Sequence, residues 1–240
     1  MKILFTYISC LLLFSAIGQT TLTRSYPVKP GEQVSLDFDY PKTIRISTWD
    51  KNEVQVKALV SINEGANDSA FVLDATNANG VISFKNRIVD FNKLPHLYSV
   101  MKNGVKTKFR SKEDFQKFID TGEPVTYSSN GVDLEITIDV KVPASTITNV
   151  KSTYGIVELV DFNGPATITA TYGGIDATIN ESKTGKLTAT TSYGQIYTNL
   201  DLVLTDKVQK DFFTSITAEP GKGPSYLFKS TYGKIYLRKP

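Results

Sequence analysis

The stretch Ser152-Thr153-Tyr154-Gly155 recurs three more times in the last third of this 240-residue chain, as ATYG at 170–173, TSYG at 191–194 and STYG at 230–233. The four tyrosines are 18, 21 and 39 residues apart, so the last interval is about twice the earlier ones. A period near twenty residues is typical of stacked coils, each of which buries its apolar face only against its neighbours. We therefore expect repeated β coils, with a degenerate copy near Phe212 and Phe213 in the long interval.

The residues around each tyrosine carry an alternating apolar pattern that changes phase at the glycine. In the first copy Val150 precedes the tyrosine by four residues, whereas Val157 and Leu159 follow it by three and five. Because successive strand residues face opposite sides, this change of phase predicts a bend at the glycine. Glycine permits the bulge or left-handed residue that such a corner needs. Parallel stacking of the coils at about 4.8 Å then places equivalent residues in ladders.

The pattern therefore predicts an all-β fold in which an N-terminal β region runs into a parallel β-solenoid, a single-stranded β-helix. The structural positions of the repeat are Tyr154, Gly155, Tyr172, Gly173, Tyr193, Gly194, Tyr232 and Gly233. By parity with Val150 and Ile168, the four tyrosines are expected to pack on the core side. The alternative is that they present stacked rings to a sugar or peptide. Tyr197 and Tyr236 have the opposite parity, so we expect them to be exposed.

Residues 86–128 interrupt the strand pattern. Asn103-Gly104 is a strong hairpin signal, and Ser111 is a good helix N-cap. Phe115, Phe118 and Ile119 then fall on one helical face. We predict a signal peptide at 1–18, an N-terminal β region at 19–85, a hairpin-plus-helix insertion at 86–128 and the repeats at 129–240.

Composition excludes several classes of function. Hydrophobic residues make up 40% of the chain and charged residues 21%, as in folded proteins. The net charge of +3 is too small for a nucleic-acid binding protein. Cys10, the only cysteine, lies within the apolar run of the predicted signal peptide, so the mature chain is expected to lack disulfides and cysteine-bound metal. We expect no transmembrane segment in the mature chain and a location in the periplasm, on the outer-membrane surface or outside the cell.

The sequence resembles the bacterial putative-adhesin domain family. The resemblance lies in a Trp-Asp turn at Trp49, a strand that ends at Val142-Pro143 and tandem Tyr-Gly-x-Ile coils, and it covers most of 30–85 and 130–240. It implies an exported single-stranded β-helix protein of the kind common in Bacteroidota. The family has no established catalytic residues, so the resemblance assigns none to this chain.

Two groups of side chains are candidate ligand contacts. The first is the aromatic pair Tyr197 and Tyr236, since aromatic rings make good binding platforms. The second is the set of cations that alternate along one predicted strand, Lys106, Lys108, Arg110 and Lys112. These cations would meet an anionic partner, or else they protect the edge strand from aggregation.

We expect a non-catalytic envelope or surface protein, monomeric, without cofactor or metal, that binds a surface glycan or an envelope protein in an adhesin-like or scaffolding role. The alternative is a carbohydrate-active enzyme of the lyase or glycosidase type, with Glu158 and Asp176 side by side on adjacent coils. His96 is the only histidine, which makes a Ser-His-Asp triad a poor candidate. A further possibility is that the insertion helix docks on a partner through Phe115, Phe118 and Ile119.

Overall fold

The computed structural model describes residues 19–122 and 124–240. The predicted signal peptide, with Cys10, lies outside the described residues and stays a prediction. Within the described ranges no helix is long and apolar enough to cross a membrane.

Strands account for most of the regular structure in these ranges. They are β1 (Thr20–Pro27), β2 (Gln33–Phe38), β3 (Thr43–Trp49), β4 (Glu53–Ile62), β5 (Phe71–Ala78), β6 (Val81–Ile88), β7 (Leu97–Lys102), β8 (Val105–Phe109), β9 (Tyr127–Gly131), β10 (Leu134–Pro143), β11 (Thr148–Ser152), β12 (Ile156–Leu159), β13 (Ala166–Ala170), β14 (Ile175–Thr178), β15 (Leu187–Thr191), β16 (Ile196–Thr198), β17 (Leu204–Lys210), β18 (Phe213–Ala218), β19 (Tyr226–Ser230) and β20 (Ile235–Arg238). The described residues contain one α-helix, α1 (Lys112–Asp120), and short 3₁₀ segments at Asp68–Ala70, Phe91–Lys93 and Glu181–Lys183.

Two large sheets enclose the core. The first has the strand order β1-β4-β10-β3-β12-β14-β20-β16, and the second has the order β17-β18-β15-β19-β13-β11-β2-β6-β5. The alternating apolar residues of the strands face inward: Leu36 and Phe38 of the second sheet and Ile44 of the first are at most 1% exposed. The buried side chains of both sheets form one contiguous cluster, so their burial is the main source of stability.

The prediction of a parallel β-solenoid is wrong, because both large sheets are open and mixed. Parallel pairs such as β11–β13 and β12–β14 join the repeats. Strand β4, however, pairs antiparallel with β1 and β10 in the first sheet. In the second sheet β5 pairs antiparallel with β6, and β18 with both β15 and β17. Alternation of apolar residues predicts a half-buried strand but does not specify the direction of its neighbour, which is why the sequence pattern did not reveal these antiparallel pairs.

Each repeat contributes one strand to each large sheet. The strand before the tyrosine lies in the second sheet, and the strand after the glycine lies in the first. We call such a pair of strands, with the bend between them, a rung. Side by side across the molecule, the rungs are β2–β3, β11–β12, β13–β14, β19–β20 and β15–β16. The last rung in the sequence therefore lies between the second and third copies of the repeat.

The expected degenerate copy near Phe212 and Phe213 is not a rung. Strands β17 and β18 form an antiparallel hairpin, with Phe212 in its turn and Phe213 as the first residue of β18. Strand β18 also pairs antiparallel with β15, with Ala189 opposite Ile216. Because β19 occupies the other side of β15, the hairpin extends the second sheet to its edge. The long interval between Tyr193 and Tyr232 thus contains an edge hairpin and not a coil.

The repeat glycines form a column in which the backbones of adjacent rungs nearly touch. A Cβ atom on Gly173 would lie 1.9 Å from the carbonyl oxygen of Gly155, and one on Gly233 would lie 1.9 Å from that of Gly173. A Cβ on Gly194 would meet the Gly233 carbonyl oxygen at the same distance. None of these glycines has a positive φ. The glycine is therefore required for close approach, and not for the left-handed conformation that the sequence suggested.

The insertion folds as a small separate layer with the sheet order β8-β7-β9. Its hairpin turns at Asn103 and Gly104, which have φ values of 48° and 77°. The Ser111 hydroxyl accepts a hydrogen bond of 3.1 Å from the Asp114 backbone N–H and so caps α1.

Candidate functional site

The tyrosines of the four repeats stack into a single column on the surface, which we call the tyrosine ladder. Its order is Tyr154, Tyr172, Tyr232, Tyr193, and the ring centroids of neighbours are 5.3, 5.2 and 5.1 Å apart. The ring planes are within 14° of parallel. This spacing is close to the distance between adjacent strands, so each ring lies directly beside its equivalent in the next rung.

Other aromatic rings extend the tyrosine ladder at both ends. Tyr40, in the bend of the β2–β3 rung, stacks on Tyr154 at 5.9 Å, and Phe91 stacks on Tyr40 at 5.2 Å. At the opposite end Phe212, between β17 and β18, lies against Tyr193 at 5.6 Å. The result is a continuous row of seven aromatic rings.

The tyrosine ladder faces solvent, whereas the parity of the sequence favoured the core side. The four ladder tyrosines are 51–60% exposed. The strand before each tyrosine ends two residues earlier, as β11 does at Ser152, and the chain then bends. Strand alternation no longer applies past that point, so the parity with Val150 does not extend to Tyr154.

The bends that carry the tyrosine ladder are hydrogen-bonded from rung to rung. The backbone N–H of Tyr172 donates to the Thr153 carbonyl at 2.8 Å, and that of Tyr232 donates to the Thr171 carbonyl at 2.9 Å. The small buried residue two positions before the tyrosine adds a further bond in two rungs. The Ser230 and Thr191 hydroxyls accept from the N–H of Gly233 and Gly194 at 3.0 and 3.1 Å, respectively. These bonds fix the bends, so the ring positions are set before any ligand arrives.

Tyr197 and Tyr236, the first candidate ligand contacts, stack on each other on the outer face of the first sheet, with centroids 5.2 Å apart. Tyr197 is 42% exposed, and Tyr236 is partly buried. The Arg238 guanidinium lies 4.9 Å from the centroid of the Tyr236 ring, and the Lys234 ammonium lies 5.7 Å from that of Tyr197. Cationic side chains and the neighbouring ring therefore cover part of the aromatic surface that this pair would offer a ligand.

Glu158 and Asp176 lie opposite each other on adjacent parallel strands. Each carboxylate, however, is paired with an arginine. Arg238 makes a two-pronged contact with Asp176 at 2.7 and 2.9 Å, and Arg45 contacts Glu158 at 3.0 Å. Both carboxylates are thereby held by charge-assisted hydrogen bonds within the protein. His96 is exposed, in the segment between the second 3₁₀ turn and β7.

The cations of β8, the second set of candidate contacts, point toward the body of the protein. Lys106 and Lys108 both donate to the Asp133 carboxylate, at 2.8 and 2.7 Å. Arg110 reaches Glu64 at 3.3 Å. Lys112 is exposed at the first residue of α1. Three of the four cations therefore tie the insertion to the large sheets, and β8 is the edge strand of its own sheet.

Asp133 is the centre of this ion cluster and was not singled out in the sequence. Burial alone would raise the pKa of its carboxyl, but the hydrogen bonds and charges of Lys106 and Lys108 outweigh burial and hold that pKa below its usual value. Burial would likewise lower the pKa of Lys108, yet the bond to Asp133 and the nearby acidic charges raise it above its usual value. Both shifts favour the charged pair.

The aromatic face of α1 packs on its own hairpin. The Phe115 ring lies 5.2 Å from that of Tyr98, and the Phe118 ring lies 5.3 Å from that of Phe109. Both phenylalanines and Ile119 remain partly exposed. The helix face that was a candidate for partner docking thus already has an internal neighbour.

Comparisons with known proteins give distant structural similarities. No known protein-family model matches the chain, and no curated protein matches it. The structure of a putative cell adhesion protein from Clostridium sporogenes covers 92% of this chain and 100% of its own, at 9% identity and a TM-score of 0.46. That of a putative adhesin from Bacteroides fragilis covers 92% of this chain and 97% of its own, at 11% identity and a TM-score of 0.20. Both neighbours are described as adhesion proteins, but similarities at this level support no argument about function. Membership of the bacterial putative-adhesin domain family stays a prediction.

Two members of the ring column were missed in the sequence. Tyr40 follows the alternating residues of β2 as Tyr154 follows those of β11, but Pro41 replaces the glycine, and the four-residue phrase is absent. Its φ of 52° marks the bend. Phe91 carries no repeat signal at all, because it reaches the column from a separate 3₁₀ turn.

Proposed function

We propose that this chain is a non-catalytic, exported protein of the bacterial envelope that binds a surface glycan or an envelope protein through the tyrosine ladder. The observation that carries the proposal is the solvent exposure of four tyrosines stacked in one continuous row. Large exposed aromatic groups cost solubility and are concentrated at binding surfaces. Here they stand on hydrogen-bonded bends above a well-packed core, which is the arrangement expected of a preorganised site.

The competing proposal of a polysaccharide lyase or glycosidase rests on Glu158 and Asp176. Their pairing with Arg45 and Arg238 favours a structural role for both carboxylates. The basic face of β8 is similarly committed to Asp133 and Glu64. The four phenol hydroxyls of the tyrosine ladder make no hydrogen bond within the described chain, so this is the surface that we assign to binding.

The test is a screen of the purified protein against bacterial surface glycans and envelope proteins. It compares the wild type with a Tyr172→Ala, Tyr232→Ala double variant and with Tyr127→Ala, which changes an exposed tyrosine of β9 away from the tyrosine ladder. We expect at least one specific partner that the control retains and the double variant loses while still folded. Absence of any partner, or equal binding by a folded double variant, would overturn the proposal.

A further inference from the structure

The tyrosine ladder presents ring edges, and not ring faces, to a ligand. Each interior ring is stacked within 14° of parallel on a ring above and below, so its two faces are covered by its neighbours. The side chains are nevertheless more than half exposed. The accessible part is the outer edge, which ends in the phenol hydroxyl. A sugar ring therefore has no aromatic face to lie on, except at the ends of the column.

The ladder hydroxyls are available for hydrogen bonding. In residues 19–122 and 124–240, none of the four makes a hydrogen bond to another protein group, whereas the buried Tyr226 hydroxyl donates to the Phe162 carbonyl at 3.3 Å. A phenol hydroxyl is both a donor and an acceptor. The row thus offers a ligand four equivalent polar contacts, carried by rings whose centroids repeat at 5.1–5.3 Å.

This repeat excludes an extended peptide as the matching ligand. Side chains on one face of a β-strand recur at twice the rise per residue, or about 6.6 Å. In a polyproline II segment equivalent positions recur every three residues, or about 9 Å. Laid along the row of rings, either peptide falls out of register by more than an ångström from one ring to the next. The donor–acceptor distance of a hydrogen bond varies by only a few tenths of an ångström.

An extended β(1→4)-linked glycan fits the row better. Its pyranose units are linked through equatorial positions into a straight ribbon, and each unit advances the chain by about the spacing of adjacent β-strands. Every unit carries hydroxyl or acetamido groups at the ribbon edge. Such a chain laid along the column would meet one phenol per sugar unit and keep its register over the whole row.

We propose that the ligand of the tyrosine ladder is an extended β(1→4)-linked glycan, bound along the column with one pyranose unit per phenol. The proposal rests on the binding role assigned above and adds the chemical class of the ligand. It implies that recognition depends on the hydroxyl groups of Tyr154, Tyr172, Tyr232 and Tyr193. It also implies that affinity rises with chain length up to the length of the column, since each added unit brings a polar group to a further phenol.

The test is a calorimetric and NMR titration of the full protein with cellohexaose and chitohexaose. Maltohexaose, whose α(1→4) linkages curve the chain, is the ligand control. The decisive variant replaces all four ladder tyrosines by phenylalanine, which keeps the ring stack and removes only the hydroxyls. Tyr127→Phe, which removes an exposed hydroxyl outside the tyrosine ladder, is the matched control.

We expect saturable binding of at least one β(1→4) hexaose, weaker binding of the corresponding trisaccharide, and at least a tenfold loss of affinity in the fourfold variant alone. Equal binding of maltohexaose, or equal affinity of the folded fourfold variant, would overturn the proposal. So would the absence of hexaose binding at millimolar concentration. If the alanine screen finds a protein partner that depends on the tyrosine ladder, the glycan assignment fails and the binding role stands; if no partner depends on it, both fail.

Discussion

The Tyr172 ring stacks on that of Tyr232, with centroids 5.2 Å apart and 6° between the ring planes, although Tyr193 is the nearer of the two along the chain. The backbone follows the same order, since the Tyr232 N–H donates to the Thr171 carbonyl and the Tyr193 N–H to the Thr231 carbonyl. The C-terminal strands β19 and β20 are therefore central in their sheets. They join the second and third repeats, which have no direct strand pairing with each other.

Removal of the C-terminal rung should therefore disrupt the interior of both sheets. In a chain that stops after Gly223, β15 and β16 lose their parallel partners, and Phe228, Ile235 and other buried residues are lost from the core. We expect loss of cooperative unfolding and of amide protection throughout 187–218, measured by hydrogen exchange. If the rungs were stacked in the order of the sequence, the truncation would remove only the rung at the edge of the sheets. Amide protection of β15 that survived the truncation would therefore contradict the inserted order of the rungs.

Removal of one interior ring should weaken the tyrosine ladder measurably. Tyr232→Ala eliminates two stacking contacts, with Tyr172 and Tyr193, and aromatic pairs contribute about 0.5–1.5 kcal/mol each beyond their area. We expect urea denaturation to give a loss of about 1–3 kcal/mol in unfolding free energy. Tyr127→Ala, at a similarly exposed site in β9, should cost under about 0.5 kcal/mol. Equal effects of the two substitutions would show that the rings do not support one another.

The glycine column should tolerate no side chain. In Gly173→Ala the new methyl group would lie 1.9 Å from a backbone oxygen, so two rungs must separate, and we expect a loss of about 3 kcal/mol or more. Gly131→Ala is the matched control, because it has open space around its Cβ position and no positive φ. Thermal unfolding of both variants measures the difference. Similar melting temperatures would mean that the rungs are not in close contact at Gly173.

Because of the ion cluster at Asp133, the free energy of unfolding should depend on pH in the acid range. The pKa of this carboxyl is held below its usual 3.8 in the folded protein. As the pH falls, the carboxyl therefore binds a proton in the unfolded chain at a higher pH than in the folded protein. The stabilisation is then fully present above about pH 4 and is lost as the pH falls through the folded pKa.

Comparison of the wild type with Asp133→Asn tests this dependence. Near neutral pH the variant should be less stable by about 1–3 kcal/mol, since it loses charged hydrogen bonds to Lys106 and Lys108. The difference should shrink as the pH is lowered below 4. Asp211→Asn, in the exposed turn between β17 and β18, should show neither effect. A difference between wild type and Asp133→Asn that is constant with pH would contradict an ionic role for Asp133.

Local features of the fold are readable in the sequence because they depend on neighbours in the chain. The alternation of Val34, Leu36 and Phe38 predicts an inward face, and all three are buried. The order of the rungs cannot be predicted in this way, because the repeats have almost the same sequence. No local feature of the sequence specifies that β19 pairs with β13 and β15 and not with β18. That choice depends on the whole set of partners.

The candidate site was mispredicted for a related reason. Alternation holds within β11 and places Val150 inside, but the strand ends at Ser152 and the bend turns Tyr154 outward. The cations of β8 show the opposite case: their alternation was correctly noted, but their partner Asp133 is 25 residues from Lys108 in sequence. A pattern of charges indicates a face, and only the fold shows what that face meets.

The order of the rungs is tested most directly by the order of the rings in the tyrosine ladder, measured by NMR in protein with isotope-labelled tyrosine rings. Single Tyr→Phe variants assign each ring. The inserted order of the rungs predicts nuclear Overhauser contacts from the Tyr232 ring to both Tyr172 and Tyr193, and none between Tyr172 and Tyr193. A direct contact between Tyr172 and Tyr193, with Tyr232 at the end of the row, would contradict it.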